Sequence, residues 1–295
     1  MAHTTLKTSY SALADRLNRF PQGAPPSDLL FEILSMLFSE EEASLVSLMP
    51  IKPFTAKKAA RIWKKSLLET QKILDELARR AILVDIERDG EPVYALPPPM
   101  AGFFEFSLMR VRDDIDQKVL SELFYQYLNV EEDFIRALFT RGETQLGRTF
   151  VHEPVLSEEN ALHVLDYERA SEVIETASHI GVGRCYCRHK MEHMGRACSA
   201  PQDICMTFNN TAASLIKHGF ARELDVEEAA SVITNAEHDV RRSLSAPVEF
   251  GFEARGVDGG RIADDGRMLA HTQGEGPRMP AVVIHQPGPF GDEGL

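Results

Sequence analysis

The chain has 295 residues, with 45 acidic against 32 basic side chains and a formal charge of −13. That balance excludes nucleic-acid binding by the chain as a whole and leaves room only for a local basic face. Apolar content of 43% and charged content of 26% are ordinary for a soluble globular protein of one or two domains, and two are expected here.

The fold class expected is mainly α with small β elements. No apolar run approaches the ~20 residues that a membrane helix needs. Met1 to Lys7 lacks the apolar core of a secretory signal, so a reducing cytoplasm is the expected setting. Residues 1–26 read as an N-terminal extension with one short helical pattern, Leu13, Leu17 and Phe20, ended by Pro21 to Pro26. Residues 27–97 then form a first domain. Ser27 caps a helix over 28–38, a short helix follows from Glu41 to Leu48, and Thr55 caps another through Trp63. A longer helix over 67–81 carries Leu67, Ile73, Leu74, Leu77 and Ala81 at helical spacing. Two alternating runs, 83–87 and 92–96, flank Asp89-Gly90 and predict a hairpin.

Three helices and a two-stranded ribbon in this order resemble winged-helix domains generally, which implies a recognition role for the 67–81 helix. Lys57, Lys58, Arg61, Lys64, Lys65, Arg79 and Arg80 favour DNA as its partner. Glu69, Asp75 and Glu76 on the helix, with Asp85, Glu87, Asp89 and Glu91 on the hairpin, would repel phosphates. The preferred reading is therefore a scaffold or protein-contact domain, with nucleic acid as the less favoured partner.

Pro97-Pro98-Pro99 marks a boundary, after which residues 100–243 read as an α-rich domain. Residues 103–128 predict a long helix with an aromatic core face, 130–140 a further helix, 149–156 a strand and 166–178 a helix. A helix over 208–218 closes at Gly219, and Asp225 with Glu228 predicts a capping box for a helix over 226–242. Residues 251–295 hold ten of the nineteen glycines, and the tail from 244 is expected to remain disordered.

The chain's four cysteines all fall between Cys185 and Cys205, spaced C-x-C-x10-C-x6-C. Four soft thiolates match the donor number of an iron–sulfur cluster or a tetrahedral zinc site. Cys185 and Cys187, at i and i+2, would face the same way on an extended stretch, and Gly181 and Gly183 would let the backbone approach a metal. Arg188, His189, Lys190, His193 and Arg196 outnumber Glu192 in the intervening loop and would offset the negative charge of a thiolate site. The readings open are a cluster on Cys185, Cys187, Cys198 and Cys205, or zinc on the same residues with His189 or His193 able to replace one. A redox dithiol and unligated thiols are the others. Zinc sites usually show paired C-x2-C knuckles, which this spacing lacks.

The run R-C-Y-C-R-H-K-M-E-H-M-G-R-A-C-S-A-P-Q-D-I-C-M-T-F, continued by L-I-K-H-G-F-A-R-E-L-D-V-E-E-A, resembles a family of multidomain 4Fe-4S ferredoxin-type proteins. The resemblance spans roughly residues 27–240 and is specific over 184–228. It implies an iron–sulfur cluster held by Cys185, Cys187, Cys198 and Cys205, electron transfer, and a redox partner protein or oxidoreductase complex. In that family further cysteines and two ferredoxin motifs follow. This chain has no cysteine after 205, and its tail reads as a shifted frame or degenerate end rather than a ferredoxin module. No G-x-S-x-G, P-loop, G-x-G-x-x-G or H-E-x-x-H motif is present, so a redox protein or subunit is expected rather than a stand-alone enzyme.

Overall fold

The computed structural model describes residues 2–20, 23–88, 90–131, 133–134, 170–198 and 200–245, and they are mainly helical with two small antiparallel sheets. The helix expected over 130–140, the strand over 149–156 and the tail beyond 245 lie wholly or largely outside these residues.

Helices α1 (Ala2–Leu17), α2 (Asp28–Leu37), α3 (Glu40–Ser47), α4 (Ala56–Trp63) and α5 (Leu67–Arg79) form the first half. Their starts are set by local chemistry. Ser27 accepts from the Leu30 N–H, Thr55 from Lys58 and Ser66 from Glu69, while Ser39 and Glu42 close a reciprocal capping box. The first sheet orders β1 (Phe54–Thr55), β3 (Glu91–Ala95) and β2 (Val84–Arg88), with β3 central. Gly90 turns the β2–β3 hairpin at φ 75°, a conformation costly for other residues.

Residues 1–26 are more than a lead-in. Tyr10, Leu13 and Leu17 of α1 are buried, and α1 packs on α3. The buried guanidinium of Arg16 locks them together, donating from Nε to the Met49 carbonyl at 2.7 Å and from Nη2 to Pro50 at 2.6 Å. Trp63 Nε1 donates to the Leu45 carbonyl at 2.9 Å, fixing α4 against α3.

The single helix expected over 103–128 is interrupted. A π turn, Pro99–Phe103, runs into a short helical segment, Phe104–Phe106; turns and bends follow, and α6 (Gln117–Tyr125) restarts on an Asp116 cap before a second π turn, Gln126–Val130. The break has a polar cause. Gln117 reaches back to the carbonyls of Ser107 and Arg110, and Arg112 closes a two-pronged pair with Asp114. The aromatic face is core nonetheless. Phe38, Phe103 and Phe104 stack edge to face at centroid spacings of 5.7 and 5.0 Å, and Phe104 also meets Phe124 at 5.0 Å. Truncating such a ring to alanine costs about 3–5 kcal/mol.

The second sheet orders β5 (Asp203–Phe208), β4 (Ile180–Arg184) and β6 (Arg222–Glu223). Around it lie α7 (Ala170–Thr176), α8 (Tyr186–His193), α9 (Asn209–Lys217) and α10 (Val226–Ser245). Asp225 and Glu228 form the expected cap of α10, and Gly219 follows α9 at φ 72°. Strand alternation divides β4 between two environments. Ile180 and Val182 join Met206 and Phe208 in a small second core, whereas Gly181 and Gly183 face the main one. A Cβ on Gly183 would sit 2.6 Å from the Phe220 carbonyl and 2.7 Å from Met109 Cε, so this glycine serves close packing. The main core is continuous across Pro97–Pro99: Leu13, Phe104, Cys185, Cys205 and Phe220 belong to one buried cluster.

Candidate metal centre

The cysteines gather where β4 ends and α8 begins. Gly183 pairs with Cys205 across the β4–β5 ladder, and a bulge then offsets Arg184 onto Asp203. Beyond the bulge Cys185 leaves the sheet, its N–H donating to the Gln202 carbonyl at 2.6 Å, while its own carbonyl accepts from His189 N–H at 2.9 Å. Cys185 thus stands at the cap position of α8, and Cys187 lies in the first helical turn rather than on the extended stretch expected from its spacing.

At a helix start the two side chains still meet. The Cys187 thiol donates to Cys185 and holds its pKa down at about 6 against the opposing effect of burial. The backbone N–H groups of Arg188 and Cys187 add to this electrostatically without closing a capping hydrogen bond of normal geometry. Cys187 is correspondingly pushed well up, because its proton is held by Cys185 and because it is buried. Cys205 is fully enclosed; burial first, then the charges of Glu105 and Cys185, pushes it up as well. These mutual effects bring Cys185, Cys187 and Cys205 into one site. Cys198 is exposed, in the 196–198 stretch beyond α8. Among the described residues, no three His, Cys, Asp or Glu side chains stand already arranged to hold a metal ion.

The surroundings of α8 are firmly tied. His189, which is buried, donates from Nδ1 to the Leu108 carbonyl at 2.8 Å, and burial lowers its pKa. His193 stacks on it at 4.8 Å between ring centroids. Lys190 Nζ reaches Asn129 at 2.6 Å, Arg196 reaches the Tyr125 hydroxyl at 3.1 Å, and Arg188 donates to the Pro201 carbonyl. Arg184 and Glu192 pair at 3.4 Å at the rim. Among these cations, Arg188 acts on the thiols, its charge lowering the pKa of Cys185 and of Cys205.

Glu105, only 3% exposed, is the residue that sequence reasoning missed: after burial, and for Cys187 after its hydrogen bond to Cys185, its charge adds to the upward shifts of Cys205, Tyr186 and Cys187. The signal was an acid inside the run Phe103-Phe104-Glu105-Phe106, where helical spacing suggested only core. The donor types suit a thiolate-bound centre: the Cys185 pKa is held down to about 6, and a bound cation would lower those of Cys187 and Cys205.

On the other candidate interface, four of the seven basic residues named above are ion-paired. Lys57 pairs with Glu91 at 2.9 Å, Lys65 with Glu69 at 2.6 Å and Glu41 at 3.0 Å, Arg79 with Glu76 at 2.7 Å, and Arg80 with Glu42. On the hairpin, α9 packs on β2, where Asp85 accepts from Ser214, Lys217 and His218.

Comparison with protein-family models, curated proteins and solved structures finds no match.

Proposed function

We propose that the chain is an iron–sulfur protein of the 4Fe-4S type, cytoplasmic, acting by electron transfer or by redox-linked association with a partner protein or oxidoreductase complex. What supports this reading is the Cys185–Cys187 thiol pair at the start of α8, with the Cys185 pKa held down to about 6 and Cys205 near enough to feel its charge. Cys198 completes the ligand set in this reading by folding inward from its exposed stretch. A bound cluster supplies one-electron chemistry. The chain's own residues supply thiolates, the helix-start N–H groups and the cations Arg184 and Arg188, which favour the reduced state, while Glu105 opposes it.

In the same reading α2 to α5 with the β2–β3 hairpin form a winged-helix domain used as a scaffold. Two observations support that over DNA binding: the ion pairs along α5, and the docking of α9 on β2. A second reading, structural zinc, is favoured by one feature. Cys185 and Cys187 lie close enough to share a proton, the close spacing that a mononuclear tetrahedral site needs.

Anaerobic purification followed by iron, sulfide and zinc analysis with a visible spectrum tests both. About four irons and as many sulfides per chain, with broad visible absorption, is the expected result. One zinc without sulfide moves the assignment to the second reading, and a metal-free, sulfide-free protein overturns both. Failure to shift random duplex DNA at low salt is expected for the scaffold role; a salt-sensitive shift would refute it.

A further inference from the structure

On the side of α5's last turn, an open cleft of about 470 Å3 is lined by Arg79, Arg110, Val111, Arg112, Asp113 and Asp114. Its volume lies in the range of small-ligand sites, and three guanidinium groups crowd into it.

They are not equally committed. Arg112, with its side chain only 2% exposed, is held by both oxygens of Asp114 at 2.8 and 2.6 Å. Arg79 pairs with Glu76 at the surface, at 2.8 and 2.7 Å, and is 54% exposed, free to turn. Arg110 has no carboxylate partner among the described residues. Its Nη1 donates to the His218 carbonyl at 3.0 Å and its guanidinium lies 4.0 Å over the Phe220 ring. Its Nε is shielded from solvent and has no hydrogen-bond partner. Burial, followed by the neighbouring charges of Arg112 and others, lowers its pKa, so the folded chain holds this cation at a cost.

We propose that this cleft binds a single oxyanion, the carboxylate or phosphate end of a small ligand, with Arg110 as principal donor and Arg79 swinging in as the second. A guanidinium is matched to such a group, and an anion seated deep enough to reach the shielded Nε–H would give that donor the partner it lacks. Phe220 and the His218 carbonyl pre-orient the guanidinium, so little side-chain entropy is lost on binding. Asp113, at the rim and without an ion pair among the described residues, rejects ligands with a second anionic end on that side. The site lies one residue from Met109, whose carbonyl accepts from Arg184 N–H at 3.1 Å, next to Cys185.

The test titrates the full chain with inorganic phosphate and, separately, with acetate, at constant ionic strength with chloride as control. Calorimetry and thermal unfolding are the readouts. One saturable equivalent with either anion and none with chloride is expected, and the tighter of the two identifies the ligand's anionic group. Arg110→Gln should weaken binding about tenfold or more, the worth of a charged hydrogen bond, and Arg79→Gln should weaken it less. A purely structural Arg110 predicts a lower unfolding temperature for Arg110→Gln with no anion dependence in the parent protein. Absence of saturable binding by both anions, or unchanged binding in Arg110→Gln, overturns the proposal. Should that variant not fold, phosphate must slow amide hydrogen exchange over residues 110–114 of the parent protein, and unaltered exchange overturns it equally.

Discussion

Asp85→Asn should separate the two halves of the molecule energetically. The Asp85 side chain is 6% exposed on β2, yet its partners lie more than 120 residues away on and just beyond α9. Ser214 Oγ donates to Oδ1 at 2.6 Å, Lys217 Nζ to Oδ2 at 2.5 Å, and His218 Nε2 approaches both oxygens at 3.0 and 3.1 Å. Burial alone would raise the carboxyl's pKa; the hydrogen bonds from His218, Lys217 and Ser214 outweigh it and hold the group well below the usual carboxylate range. Lys217 is 64% exposed, so its pair contributes little, about 0–1 kcal/mol. The His218 and Ser214 bonds are enclosed, and hydrogen bonds to a charged group contribute about 1.5–3 kcal/mol each. Asparagine keeps the shape and one acceptor, so the expected loss is about 2–4 kcal/mol, or roughly 5–15 °C in unfolding temperature.

Urea and thermal unfolding across pH measure it. Because the folded carboxyl titrates below the unfolded one, the parent's advantage over Asp85→Asn is complete above about pH 4 and drains away as pH falls further. A variant within about 0.5 kcal/mol of the parent at pH 7 would refute this reasoning, as would a gap that stays constant down to pH 3.

Gly183→Ala should cost about 1–3 kcal/mol, since the new methyl group meets the Phe220 carbonyl at 2.6 Å and neither backbone can yield freely. Equilibrium unfolding reads it, and a neutral result would mean that β4 is not held against the 219–221 turn. Cys198→Ser should leave the metal-free protein within about 0.5 kcal/mol of the parent, because this side chain is exposed. In protein purified anaerobically the same change should lower iron content; unchanged iron would show that the cluster does without this thiol. Cys205→Ser, in contrast, places a hydroxyl in a fully enclosed site and should destabilise even the metal-free chain by about 1–3 kcal/mol. Unfolding of the metal-free variant at its parent's midpoint would contradict that.

Local chemistry made much of the chain legible. The caps at Ser27, Thr55 and Asp225, the Gly90 hairpin and the Gly219 stop each depend on partners within a few residues, so the sequence carries the whole interaction. The crowding of all four cysteines between 185 and 205 needed no folding to be seen. The third dimension decided how those thiols meet. Cys205 reaches Cys185 only because residues 203–208 form a strand against 180–184, a pairing that the sequence did not predict.

The same holds for Glu105 beside the thiols, Arg110 in its cleft and Asp85 under α9. Each owes its role to groups about 80 to 133 residues away, as the Asp85–His218 contact does at 133. Helix caps and turns are governed by backbone geometry over one or two turns, which composition and spacing encode directly. Strand pairing and buried charge depend on which distant surfaces exclude water from one another, and no local pattern specifies that.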